Sequence, residues 1–449
     1  MNAAARRLKL AFLNTRDLLV TLGPLLLIVV GVLVAAYWWL DPQPPKTVVL
    51  ATGPADSAYA NFGERYKKAL AKNGITVETV PTEGALANLA KLRDGSADLG
   101  FVRGGAADPV ADEEADIVSL GSLFYEPIWV FYRKDVAKKI EPKTALLTRI
   151  PQLKGLRISV DQPGSGIPQI MDKLLAANHL KPEDFKLQQM ESEAASAALL
   201  KGDLDAAVMV SAPQSKLVRA LLRSPLLALM PFEQNEAYSR RLPFLSTVTL
   251  PRGVVDLAKD LPPEDVPLLA TTTALLARSD THPALRQLFA QAAQGLHSGA
   301  GWFNGARDFP NTRTSELPVS PEGDRAINGT PPVWQRYLPF WVSNLVERMW
   351  LVLGGLLVLM LPLSRVVPPI YTFRVRSRVF RWYARLRDVE AKIEQREGPR
   401  DDLLHELEAL ERLTNRIAVP LSYADELFAL RNNIHAVRKR LLAHWPEEA

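Results

Sequence analysis

Apolar and polar positions divide the chain into two charge-free runs near its ends and a long alternating region between them. From Leu18 to Leu40 the chain reads LLVTLGPLLLIVVGVLVAAYWWL without a charged residue. As a helix this run is about 34 Å long, enough to cross a bilayer. Tyr37, Trp38 and Trp39 suit an interfacial aromatic belt. Val34-Ala35-Ala36 also offers a signal-peptide processing site, but the run exceeds the usual apolar core of such peptides, which favours a retained anchor. A second run, MWLVLGGLLVLMLPL, starts at Met349 and ends before Arg365. It is short for a span, so it must draw on its flanks, which predicts a transmembrane helix over 342–368; a buried core helix is the competing reading.

Between the runs, after the proline-rich spacer DPQPPK at 41–46, strand and helix patterns alternate. TVVLA (47–51) reads as a buried parallel strand. Tyr59, Phe62, Tyr66 and Leu70 share one helical face, ITVET is a strand, Leu86, Leu89 and Leu92 mark a helix, and ADLGFV is a third strand. A second unit runs from LRISVD (156–161) through helices near 167–177 and 194–200 to DAAVMV (205–210). LRDGSADLGFV at 92–102 echoes LLKGDLDAAVMV at 199–210, and each unit has a Pro/Gly turn after its first strand, TGPADS and DQPGSG. Duplication is the natural reading. EPIWVFYRK (126–134) and LSTVTL (245–250) bracket the second unit and are predicted to be the two crossovers between lobes. Lobe 1 then comprises about 46–128 and 250–335, and lobe 2 about 133–245, within an ectodomain of 41–335. The fold class is therefore α/β in two lobes, with two transmembrane helices.

Residues 369–449 form a helical tail. It is broken at Gly398-Pro399 and at Pro420, with Leu403, Leu407, Leu410 and Ile417, then Leu427, Leu430, Ile434, Val437 and Leu441, at three-four spacing. The last two helices are expected to pair as an antiparallel hairpin. The tail either is self-contained or docks a cytoplasmic helical partner or a second copy.

Charge orients these pieces. The net +5 sits at the ends: residues 1–17 carry Arg6, Arg7, Lys9 and Arg16 against Asp17, and residues 365–449 carry sixteen basic against thirteen acidic groups. The central region is close to neutral, so it has no electrostatic footprint for nucleic acid. Arg365, Arg374, Arg376, Arg378, Arg381, Arg385 and Arg387 follow the second run with no acid among them, the mark of a cytoplasmic flank. Both termini are thus expected in the cytoplasm and the central domain outside a bacterial cytoplasmic membrane.

Cysteine is absent and the six histidines form no metal-binding pair; no P-loop and no G-x-S-x-G elbow occurs. Enzyme chemistry, a metal and a cofactor are therefore not expected. A cleft between lobes is where a small ligand binds. The turn of Gly164, Ser165 and Gly166 opens a helix, whose free amides and a hydroxyl suit a carboxylate. In lobe 1, Ser57, Tyr59, Thr82, Gly84 and Arg103 fall at strand ends or helix starts on the rim, with Arg103 able to hold a carboxylate in a bidentate contact. Phe124 and Tyr125 precede the crossover strand as a candidate apolar wall, and Ser211 follows the DAAVMV strand. Core packing accounts equally well for Tyr59, Phe124 and Tyr125.

At ATGPADSAYANFGERY, VETVPTEGALANLAKLRDGSADLGFVRGG, SLGSLFYEPIWVFYR, LKGLRISVDQPGSGIPQIMDKLLAANHL and KGDLDAAVMVSAP the chain resembles the TAXI family of TRAP-transporter solute-binding proteins. The resemblance extends through PLLATTTALLARSDTHPALRQLFAQAA and PPVWQRYLPFW into the second apolar run. It implies a type II periplasmic-binding-protein fold and delivery of a carboxylate-bearing solute, a small organic anion or amino acid, to TRAP permease subunits. It also implies binding turns at Gly53–Tyr59 and Gly164–Gly166. Ala58 and Ala85 depart from the glycine and serine common in relatives, and the second change removes a hydroxyl donor from the rim.

Overall fold

The computed structural model describes residues 23–24, 26–40, 43–55, 57–108, 112, 115–213, 215–329, 337–415, 417 and 424–444. The N-terminal tail, the start of the first apolar run and Pro420 lie outside these. The chain divides into two compact units, residues 43–344 and the remainder.

Residues 43–344 are built on a ten-stranded mixed sheet. β1 (Thr47–Ala51), β2 (Thr76–Val80) and β3 (Leu99–Arg103) are parallel in the order β2-β1-β3, with helices Ala58–Ala71 and Ala85–Arg93 as the crossovers. β5 (Arg157–Ser159), β6 (Lys186–Gln188) and β7 (Ala206–Val210) repeat this in the order β6-β5-β7, crossed by helices Ile167–Ala177 and Ser192–Lys201. The sequence echo is therefore a topological repeat. The inner strands β3 and β7 are buried at every position, as strands covered on both faces are, whereas the outer strands β2 and β6 carry Glu78 and Lys186 and are mostly not buried. In helix Ala58–Ala71 the buried positions are Tyr59, Gly63, Tyr66 and Leu70. Gly63 has no room for a side chain, since a Cβ there would meet the Thr52 methyl at 2.7 Å.

The halves are joined by β4 (Ile117–Arg133) and β10 (Val266–Arg278), two long strands paired antiparallel along most of their length. Each changes core midway. Leu123 and Leu275 pack in the core of the first lobe, Ile128 and Ala270 in that of the second. β8 (Leu227–Leu229) pairs with β4 at Phe131–Arg133, and β9 (Leu245–Leu250) with β10 at Val266–Thr271. This corrects the expected crossover at 245–250. β9 belongs to the second core, and the crossing strand is β10. The reach of the second lobe to about residue 270 follows from β9 and β10 forming an antiparallel pair, which local pattern does not reveal.

In the other unit, Leu26–Leu40 is a short apolar helix, and Arg348 donates to the Leu40 carbonyl at 3.1 Å. Val342–Ile370 lies within one helix running Phe340–Gln395; by length and composition it could cross a membrane, and its most apolar stretch is not buried in the protein. The far end of that helix contributes Val379, Leu386 and Val389 to a core shared with helices Arg400–Thr414 and Ala424–His444, centred on Leu407, Leu430, Ile434 and Leu441. Three helices thus share this core.

Candidate functional site

The carboxyl ends of the parallel strands in each lobe face one another across a cleft of about 380 Å³, the position in which open α/β sheets hold ligands. Pro54, Ser57, Tyr59, Glu83, Arg103 and Glu126 line it from the first lobe. Asp161, Ser165, Ile167, Met209, Ser211 and Lys216 are among those lining it from the second.

At its base Arg103, the last residue of β3, is 6 % exposed and Glu126, on β4, 2 %. Arg103 Nε lies 3.4 Å from Glu126 Oε2, an ion-pair distance without hydrogen-bond geometry. The same Oε2 accepts from Tyr59 Oη at 2.8 Å and from Thr273 Oγ1 at 2.7 Å. The guanidinium carbon stands 5.9 Å from the Tyr59 ring centre. Burial, followed by the negative charge of Glu126, pushes the Tyr59 hydroxyl far above its ordinary range, so it donates and does not ionise. Burial alone would lower Arg103, but the charge of Glu126, then the Tyr59 hydroxyl and least of all the charge of Asp161 together outweigh it and hold the guanidinium charged. Arg103 Nε and Nη1 are buried without a hydrogen-bond partner. Orphaned donors of this kind are uncommon in folded proteins.

The predicted residues fare unevenly. Ser57, Tyr59, Arg103, Ser165 and Ser211 line the cleft. Ser57 also caps its helix, accepting from Ala60 N at 3.1 Å. Gly53 sits behind the rim, where a Cβ would meet Ser57 Oγ at 2.8 Å. Thr82 is occupied in structure, donating to Asn88 Oδ1 at 2.6 Å and accepting from Gly84 N at 3.1 Å. Phe124 stacks on Phe62 and His297 in the first core, and Tyr125 meets Phe309 edge-on, so neither forms the cleft wall.

The turn at 163–166 does not offer free amides. Ser165 N and Gly166 N donate to Gln162 O and Pro163 O, Ser165 Oγ donates to Gln162 O, and Gly164 N donates to Glu83 Oε2 of the opposite lobe at 3.0 Å. The expectation that Ser165 and Gly166 grip a carboxylate is therefore corrected. Gly84 and Gly164 serve the meeting of the lobes instead: a Cβ on Gly84 would sit 3.0 Å from Ser165 Cα, and one on Gly164 would strike Glu83. A second bridge closes the same flank, Lys173 Nζ donating to Gly105 O at 2.6 Å.

Glu126, Asp161 and Glu83 escaped the sequence reading. The signal for Glu126 was present, a lone carboxylate inside the apolar strand EPIWVFY. Asp161 has a positive φ of 64° and accepts from Gln162 N and Ser192 Oγ, partners that no local motif announces.

Residues 50–290, from β1 through the helix Pro283–His297, match the NMT1-like family over more than half of the chain. The chain belongs to the NMT1-like family. The matched span takes in the second lobe, most of the first and every cleft residue named above. Among solved structures, the chain is similar to the alkanesulfonate-binding protein SsuA from Xanthomonas axonopodis pv. citri bound to MOPS (16 % identity, 57 % of this chain and 73 % of that one, TM-score 0.36). It is similar to the periplasmic aliphatic sulphonate binding protein SsuA from Escherichia coli (16 %, 69 % and 94 %, 0.36). It is also similar to PhnD1 from Prochlorococcus marinus (MIT 9301) in complex with methylphosphonate (13 %, 57 % and 85 %, 0.37).

Proposed function

We propose that the chain is a solute-binding protein of the periplasmic type, tethered to the bacterial cytoplasmic membrane, that closes its lobes on a small acid and hands it to a TRAP permease. The observation that carries this reading is the buried Arg103 on the cleft wall, with two donors unmet by the protein. A carboxylate reaching that guanidinium would form the charge-assisted bonds the protein leaves open. The TAXI-type motifs favour a TRAP partner. The apolar helix Val342–Ile370 and the arginine cluster after it favour a membrane anchor with the cleft domain outside. A tether would keep the loaded receptor at high local concentration near the permease.

A thermal-shift screen of the full chain in detergent micelles against organic acids and amino acids tests this, because a ligand bound only to the folded state raises the melting temperature. A flat response across the library refutes it. The tail supports a second reading as a sensor or scaffold, since delivery alone does not require a three-helix core. Deleting 400–449 and measuring uptake separates the two: unchanged transport speaks against signalling as the main role.

A further inference from the structure

The charges around the cleft are unequal. Among the described lining residues there are five carboxylates, Glu83, Glu126, Asp161, Glu191 and Glu193, against two cations, Arg103 and Lys216. Glu191 and Glu193 are exposed at the mouth, where solvent and salt weaken them. The decisive charges lie at the base: Arg103 is buried beside Glu126 at 3.4 Å and also feels Asp161. One guanidinium there faces two carboxylates. Yet its Nε and Nη1 are sealed from water with no acceptor, so the site is incomplete as an ion-pair network.

These facts constrain a ligand from two sides. An acidic group satisfies Arg103. A second acidic group finds no second buried cation and adds to an existing negative excess. A protonated nitrogen on the same molecule offsets that excess, and the carboxylates of the opposite wall accept from it. We infer that the cleft takes an acid that also carries protonated nitrogen, with net charge zero or positive, and discriminates against dicarboxylates and acidic amino acids. The inference rests on the solute-binding reading and narrows it.

The test is calorimetric titration of the full chain in micelles with glutarate, L-glutamate, L-glutamine, L-lysine, L-arginine, hexanoate and 1,4-diaminobutane at neutral pH, with the remaining standard amino acids as a further arm. Affinity is expected to rise with net charge among the acids. The amine-free acid is expected to bind about 100-fold more weakly, or worse, than its amino counterpart, since like charges brought together without compensation are strongly disfavoured. The double variant Glu191→Gln, Glu193→Gln, altered only at exposed positions, is expected to narrow the gap between L-lysine and glutarate. Binding of glutarate or L-glutamate as tight as that of any neutral or basic amino acid overturns the inference and leaves the solute reading intact. Binding of 1,4-diaminobutane as tight as that of the amino acids overturns the requirement for an acid on Arg103. Silence from every compound overturns the inference together with the solute reading.

Discussion

Replacing Glu126 with alanine should cost more stability than its four lost heavy atoms explain. Its Oε2 holds Tyr59 at 2.8 Å and Thr273 at 2.7 Å and stands 3.4 Å from Arg103 Nε. With the carboxylate gone, the guanidinium stays buried without its main counter-charge, and the influence of Asp161 is smaller. Removing one partner of a buried ion pair costs about 3–5 kcal/mol, whereas replacing both with apolar groups is often close to neutral. The melting temperature of a domain of this size moves by about 2–4 °C per kcal/mol, so Glu126→Ala should lower it by about 6–20 °C. Glu126→Ala combined with Arg103→Met should recover much of this, giving a coupling energy of about 2 kcal/mol or more. Urea unfolding of both single variants and the double, followed by fluorescence including that of the buried Trp129, measures it. A single-variant cost under about 1 kcal/mol, or a double variant that costs the full sum of the singles, would refute the reasoning.

Burial, reinforced by the nearby charge of Arg65, depresses His297 to about 3. A histidine neutral in the fold and free to protonate when unfolded supplies stability above its unfolded value near 6.5, which is lost as pH falls toward 3, at about 1.4 kcal/mol per pH unit. His297→Phe, which keeps a ring against Phe62 and Phe124, should flatten the acid limb of a stability-versus-pH curve below about 6.5, as chemical unfolding between pH 4 and 7 will show. Glu83→Ala with Lys173→Ala removes both bridges across the cleft and should increase the ligand-free radius of gyration in small-angle scattering; an unchanged radius would mean that the bridges do not set the lobe separation. Gly121→Ala should destabilise by more than about 1 kcal/mol in thermal unfolding, because φ is 117° there and a Cβ would run into Ile327.

Much of the fold was legible because parallel strands buried on both faces leave unbroken apolar runs. TVVLA, LGFV and AAVMV could be read directly, and the repeat of their flanking helices disclosed the second lobe. The β4–β10 pairing was hidden, since PLLATTTALLAR carries no mark of which strand it will join, and LSTVTL reads as a plausible crossover until its hairpin with β10 is seen. At the site, Tyr59 and Arg103 were found because a strand end and a helix start are recognisable places. Gly164 was misread because a glycine that admits another lobe's carboxylate looks, in one dimension, the same as one that admits a ligand's. Glu126 and Asp161 become neighbours of Arg103 only when residues 103, 126 and 161 are brought together by the sheet.

Since β4 and β10 lie side by side, any opening of the lobes must bend or twist the two-stranded ribbon they form, and it must also carry along the segment after the helix Pro283–His297, whose Trp302 and Phe303 pack on the second core. The ribbon's pairing slips register between Thr273 and Leu276, opposite Phe124 to Ser119, which places the break in the ladder beside the hydroxyl that holds Glu126. A ligand on Arg103 would therefore be linked to that irregular stretch through only two residues, Glu126 and Thr273.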